Sequence, residues 1–381
     1  MIKGVIDSDR HVAEPLSMWK EYLPEELKHY APTLRDQNEL IQLAERSVKY
    51  GSKGSTPLLP QIMVGEHPLY YKFSERAQIE VSLQSQEIMG RTETASTGAG
   101  QLATMDEMGV DRALIYPTDA TFLVNHEKIS PEVSAAFAGT YNQWAREYCS
   151  ADAHRLVPVG VVSRHDPDLM LEELMRIHRW GWRNVLLRPE KINGRVLGHP
   201  DYEPFWDACE QLGFSVALKS GTHLYSTTIG LDRFESRFAL HACSHYMEAH
   251  QAFLSLLESG VLERHPKLRF AFMEAGASWL PAWLFRLDHV CYEQMPGELE
   301  EHVQMEPSEY FRRQCWIGFE LEEPGLQEVV KAVGIEKLLW GSDYPHPDHE
   351  LVYAQNLTSD TFSEAELKRI LTENPKGFFR M

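Results

Sequence analysis

The sequence predicts an α/β protein built as one (β/α)8 TIM barrel. Three observations carry this expectation: eight short apolar or β-branched runs that end abruptly in polar residues, helical periodicity in the spacers, and a length of 381 residues. A barrel core uses about 250 residues, which leaves room for insertions. Alternation of strand and helix implies parallel pairing, and runs apolar throughout suit strands covered on both faces.

The first run is Gly4–Asp9 (GVIDSD) and the second is Ala113–Thr118 (ALIYPT). About a hundred residues separate them, whereas a standard βα unit takes roughly thirty. The excess reads as an insertion at 36–100 within a single domain spanning 1–381. It holds Gly51–Pro57 (GSKGSTP), the aromatics Tyr70, Tyr71 and Phe73, and Thr92–Gly100 (TETASTGAG). An excursion after a barrel strand falls on the catalytic face, where a lid, barrel padding and a subunit contact are the open roles. The remaining runs are Leu156–Val162 (LVPVGVV), Asn184–Pro189 (NVLLRP), Ser215–Ser220 (SVALKS), Arg269–Glu274 (RFAFME), Cys315–Glu320 (CWIGFE) and Leu338–Asp343 (LLWGSD). Helices are expected over Leu169–Trp180, over Tyr202–Leu212 after a proline-marked turn, and over Met247–Leu262.

With 37 Lys+Arg against 56 Asp+Glu, the net charge is −19. That sign disfavours nucleic acid and anionic membrane as partners, since no basic patch breaks it. The five cysteines form no CxxC pair, and their odd number leaves at least one unpaired. The opening MIKGVIDSDRHVAEP turns acidic before a signal-peptide core forms, and no run approaches the ~18 apolar residues of a membrane span. A reducing cytoplasm is the expected location.

Reacting groups of such a barrel sit at the C-terminal ends of its strands. Here those ends are Asp7-Ser8-Asp9-Arg10-His11, Arg188, Lys219, Glu274, and Asp343 followed by Tyr-Pro-His346. Taken singly, each is an ordinary charged strand end. Converging on one cavity, they must be paired, metal-bound or functional. Asp9-x-His11 places a carboxylate and an imidazole on one side of an extended segment, because i and i+2 share a face. Completed by a carboxylate from across the barrel, the pair suits Zn²⁺ or Mn²⁺, although DxH alone is a weak signal.

IDSDRHVAEPLSMW, HPKLRFAFMEAGASWLPAWLFRLD and LLWGSDYPHPD resemble the amidohydrolase-related family, the branch with aminocarboxymuconate-semialdehyde decarboxylase and the aromatic-acid decarboxylases. MDEMGVDRALIYPT, YNQWAREYCS and FWDACEQLGF match in style. The resemblance implies a distorted barrel with one divalent metal, a homodimer or higher homo-oligomer, and decarboxylation or hydrolysis of small aromatic or dienoic carboxylic acids. Its metal ligands map on Asp9, His11 and Asp343. The fifth-strand histidine of the pattern is replaced, since SVALKSG places Lys219 there. A protonated ammonium repels a cation, so three roles are open to Lys219: stand-in for the metal's charge, paired with Asp9 and Asp343; neutral or carboxylated ligand; and Schiff-base amine. His223 is a possible substitute ligand. Glu274 likewise stands where many decarboxylases have a histidine, and serves either as a proton carrier beside Asp343 or as the counter-charge of Lys219 or Arg188.

Arg188, His245 and His346 are the candidates for binding a substrate carboxylate or orienting a water, with Asp343, Glu274 and Lys219 the catalytic ones. Trp279 is a candidate pocket wall. Because Lys219 and Glu274 replace histidines of the decarboxylases, the leading expectation is a metal-dependent hydrolase of a small organic acid. A carboxy-lyase, a metal-free enzyme using Lys219, and a barrel that binds without turnover are the alternatives.

Overall fold

The computed structural model describes residues 2–34, 62–69, 91–221, 228–234, 236–295, 297–346, 353–354 and 357–380. All eight expected strands form. They are β1 (Ile6–His11), β2 (Arg112–Tyr116), β3 (Leu156–Pro158, continuing as Gly160–Val161), β4 (Asn184–Leu187), β5 (Ser215–Lys219), β6 (Arg269–Met273), β7 (Cys315–Phe319) and β8 (Leu338–Trp340). Parallel ladders join β1, β2 and the first half of β3, and then run from its second half through β4, β5, β6 and β7 to β8. Between the halves, the Val159 N–H donates to Ile115 O at 3.0 Å. At the other seam, the chain leaving β8 bonds to β1: Asp343 N–H donates to Asp9 O at 2.9 Å, and His11 N–H to Tyr344 O at 2.7 Å. Gly341 permits this approach, since any Cβ there would collide with Asp9.

One main helix precedes or follows each strand: α1 (Gly98–Met108), α2 (Pro131–Cys149), α3 (Pro167–Arg179), α4 (Glu203–Leu212), α5 (Arg237–Glu258), α6 (Pro307–Gln314), α7 (Leu326–Val333) and α8 (Glu364–Thr372). Their ends carry the expected local chemistry. Ser130 and Asp166 cap α2 and α3 ahead of Pro131 and Pro167, and Gly213 closes α4 in the left-handed conformation at φ 73°. The helix expected over Met247–Leu262 instead starts at Arg237, capped by Ser236, and breaks at Ser259 before a short helix Val261–Arg264.

Alternation along the strands separates two apolar layers. In β5, Val216 and Leu218 face the helices, whereas Ala217 joins the barrel interior with Ile6, Leu186, Ala271 and Leu339. Phe378 and Phe379 from the C-terminal helix Asn374–Phe379 fill the bottom of that interior. Phe378 O accepts from Ser215 Oγ and Arg269 Nη1, both at the starts of their strands. The opposite end is therefore the polar mouth.

Between β1 and β2, Thr33–Leu34, Ile62–Val64 and His67–Pro68 form a small antiparallel sheet. Gly51–Pro57, Tyr70, Tyr71, Phe73 and His223 lie outside the described residues. The insertion's last stretch is tied to the barrel seam: Ala13 N–H donates to Ala95 O, Tyr344 Oη to Arg91 O, and Arg91 Nη1 to His346 O at 3.5 Å. All five cysteines are free thiols, and no helix among the described residues is long and apolar enough to cross a membrane.

Candidate active site

Lys219 ends β5 on its inward face, and its Nζ lies 2.6 Å from Asp9 Oδ1, 2.5 Å from His11 Nε2 and 2.8 Å from Glu274 Oε1. Asp9 and His11 share one side of β1, as i and i+2 spacing requires. Asp343 completes the group, with Oδ1 3.3 Å from His11 Nε2 and 2.9 Å from His346 Nδ1. The His346 ring lies against that of His11, tilted by 38° at a centroid distance of 4.1 Å. Exposure rises outward. The side chains of Lys219 and His11 are 4 % exposed, Asp343 12 %, Glu274 18 % and His346 27 %, so the open side of the cluster is the one formed by Asp343, Glu274 and His346.

Both outer carboxylates stand on unusual backbone. Glu274 directly follows β6 and Asp343 lies three residues past β8, with φ of 52° and 53°. Non-glycine residues adopt this left-handed region at a cost of about 1–3 kcal/mol, and functional sites are where that cost is tolerated. Here it turns two carboxylates toward each other over the mouth.

Burial works against the Lys219 charge, but Asp9, Glu274 and Asp343 outweigh it and hold the ammonium's pKa above its ordinary value. Burial likewise opposes the Glu274 charge. The Lys219 charge beside it leads the interactions that outweigh burial and keep its carboxyl well below the usual range. Asp343 goes the other way, pushed up to about 6 by burial and by the Glu274 charge, against the pull of His346. Of the two carboxyls, Asp343 is the one that takes up a proton first, as pH falls through about 6.

His11 is subject to opposing demands. Its Nδ1 lies 2.7 Å from Pro117 O, a pure acceptor, so Nδ1 carries a hydrogen. Three carboxylates at 3.3–3.4 Å draw a second proton toward Nε2, whereas Lys219 Nζ at 2.5 Å needs Nε2 as an acceptor. Only one proton fits between the two nitrogens. Against burial and the Lys219 charge, those carboxylates raise the His11 pKa, but the single proton between nitrogens 2.5 Å apart stays on the lysine, whose carboxylate contacts are shorter.

The other candidates fall elsewhere. Arg188 is buried with its guanidinium committed to Glu190 at 2.7 and 3.1 Å and to Gly221 O at 3.1 Å, over the Phe122 ring. His245 Nδ1 lies 3.1 Å from Glu274 O, so it braces the backbone that aims Glu274. Trp279 donates to Ala275 O and Gly276 O and stacks on His250, packed against the outer layer. Sequence reasoning missed Tyr116, whose buried ring lies 4.9 Å below Lys219 Nζ, and the support built by Asp7 and Arg10. Asp7 accepts from the N–H groups of Asp9 and Ser342 and from Ser342 Oγ, and Arg10 Nη1 reaches Asp7 at 3.4 Å. The polar run Asp7-Ser8-Asp9-Arg10-His11 carried that signal, because a central strand has no other use for so many polar groups.

Barrel, mouth and charged cluster together define an enzyme of hydrolase or carboxy-lyase type. A family model described as "Amidohydrolase" matches residues 6–381, and the chain belongs to that family. It is 26% identical over 251 residues to 2-amino-3-carboxymuconate-6-semialdehyde decarboxylase of Dictyostelium discoideum, covering 65% of this chain and 67% of the relative. An amidohydrolase structure from Mycobacterium avium subsp. paratuberculosis K-10 superposes with a TM-score of 0.77 at 21% identity, covering 100% of both chains. A dihydroxybenzoic acid decarboxylase from Polaromonas sp. JS666, with bound manganese and the inhibitor 2-nitroresorcinol, gives a TM-score of 0.65 at 17% identity over 100% of this chain and 97% of that one.

His11, Glu274, Asp343 and His346 offer four potential ligand atoms within 4.8 Å of one another, a spacing that admits an ion. The charge does not fit. An ion ligated by His11 Nε2 at about 2.1 Å would lie no farther than about 4.6 Å from Lys219 Nζ, because the two nitrogens are 2.5 Å apart. A double and a single positive charge at that distance repel by about 7 kcal/mol at an effective dielectric of about 20. Asp9 Oδ1, His11 Nε2 and Glu274 Oε1 are also occupied by the ammonium. With Lys219 protonated, the donor set does not suit a divalent cation.

Proposed function

We propose that this chain is a non-oxidative decarboxylase of a small aromatic or dienoic carboxylic acid. The observation that carries the reading is the Asp343–Glu274 pair on the open side of the cluster, one carboxyl that takes up a proton near pH 6 and the other backed by Lys219. The names of the relatives, decarboxylases of a dienoic semialdehyde and of a hydroxylated benzoic acid, support the same chemistry.

The substrate enters from the His346 side. Lys219 supplies the cluster's positive charge, without which three carboxylates would repel an acid. Asp343 transfers its proton to the carbon that bears the carboxylate. The C–C bond then breaks, its electron pair returns to the conjugated system, and CO2 departs. Water reprotonates Asp343, so the net change consumes one proton per CO2 released.

A second reading is hydrolysis, with Asp343 accepting a proton from water. It requires Lys219 to be neutral or carboxylated, in which case the four-atom spacing of His11, Glu274, Asp343 and His346 would admit Zn²⁺ or Mn²⁺. A panel of hydroxybenzoates, aminobenzoates and muconate-type acids, assayed for released CO2, tests the proposal. Release of CO2 with a proton delivered to the same carbon is expected; hydrolysis of an ester, lactone or C–C ketone in the panel without CO2 would overturn it.

A further inference from the structure

We infer that the Lys219 ammonium takes the place of the divalent cation that manganese-bearing relatives hold, so this active site works with no metal. The inference rests on the proposed function only in taking the barrel mouth as the reacting site.

The geometry is that of a built ammonium cage. An ammonium has three hydrogens and no lone pair. Two hydrogen-bond acceptors meet it, Asp9 Oδ1 at 2.6 Å and His11 Nε2 at 2.5 Å, and Glu274 Oε1 pairs with the charge at 2.8 Å. The Tyr116 ring covers its remaining side, 4.9 Å from Nζ to the centroid, with the negative face of the ring toward the charge. A lysine merely filling space at the end of β5 would extend its flexible stem to water. This one is 4 % exposed and directed inward. Both hydrogen-bond acceptors come from β1, on the far side of the barrel, so the charge bridges strands as a bound ion would.

The replacement alters what the substrate finds. A metal offers vacant coordination positions, whereas the Lys219 ammonium is hydrogen-bonded to Asp9 and His11 and paired with Glu274. Lys219 therefore acts as a fixed charge that holds Asp9, His11 and Glu274 in place, and direct substrate contacts fall to Asp343, Glu274 and His346. Substrates recognised by hydrogen bonds to those three groups are favoured over ones recognised by chelation through adjacent oxygens.

The test is metal analysis of the full-length protein, purified without chelator, together with titration of Mn²⁺ and Zn²⁺ followed calorimetrically. Wild type is expected to hold well below one equivalent of any divalent metal and to give no saturable heat. Lys219→His removes the charge and adds a ligand beside Asp9, His11 and Asp343; its Mn²⁺ affinity is expected to rise on the order of 10⁵-fold, as loss of a fixed positive charge predicts. Lys219→Gln serves if the histidine variant does not fold, with a smaller rise expected. A wild-type protein carrying about one equivalent of metal, lost with chelator, would overturn the inference. So would folded Lys219 variants that bind no better than wild type. These readouts are separate from turnover: metal-free protein that releases no CO2 from any acid defeats the proposed function alone, and metal-loaded protein that releases CO2 defeats this inference alone.

Discussion

Asp343 and Glu274 make opposite demands on one proton, and their chemistry can be tested separately. Asp343→Asn keeps the shape but cannot supply the proton, so kcat for CO2 release is expected to fall by about 10²–10⁴-fold with little change in KM. The pH profile carries a sign. Asp343 must be protonated to donate, and its pKa is pushed up to about 6, so kcat/KM is expected to fall as pH rises through about 6. Part of that upward shift comes from the Glu274 charge. Glu274→Gln removes the charge, and the descending limb is expected to move to lower pH; a limb that stays in place would show that Asp343 is not the titrating group. At this scale the sequence showed which residue types stand at strand ends. It did not show that Arg188 would be consumed by Glu190, two residues away, because a strand end tells nothing of which neighbour reaches a guanidinium first.

Elements hold these residues through a few buried polar ties. His165, just past β3, lies within 3.2 Å of Ser134 Oγ on α2 and of His126 O, joining strand and helix. Burial pushes its pKa down to about 4, against the His126 carbonyl, which favours the charged ring. A base with a lowered folded-state pKa contributes stability fully present above its unfolded value, near 6.5, and lost as pH falls through about 4. Denaturant titrations of wild type and His165→Gln are expected to diverge over that window, with wild type losing up to roughly 3 kcal/mol more. Strands were legible because a run covered on both faces has to be apolar and short. The start of α5 was not, because residues such as Phe238, 86 % exposed, do not follow the amphipathic pattern that marks a buried helix face.

The whole molecule is a barrel plugged at one end and reactive at the other. Phe378 fills the interior beneath Ala217 and Trp316, its ring 5.3 Å from that of Trp316, and its carbonyl anchors the first residue of β5. Phe378→Ala is expected to cost about 3–5 kcal/mol in equilibrium unfolding while leaving KM unchanged, since the cavity opens at the end away from the mouth. An effect of similar size on KM would mean that bottom and mouth are coupled. At the mouth, Arg91 and Ala95 bring the end of the insertion onto the seam between β1 and β8, beside His346.

From the residues alone came the eight strands, their order, and the set of charged groups at their ends, because periodicity and the need to cover apolar faces act within a few residues of chain. Resemblance added Asp9, His11 and Asp343 as a group. What Lys219 does was left among three roles, and only the folded barrel chose among its neighbours. Lys219 and Asp9 are separated by 210 positions in the chain, and their 2.6 Å contact exists only once the strands have closed. Whether a lysine there repels a metal, replaces it or reacts as an amine depends on the distances to three partners, and those distances are a property of barrel closure that no local pattern encodes.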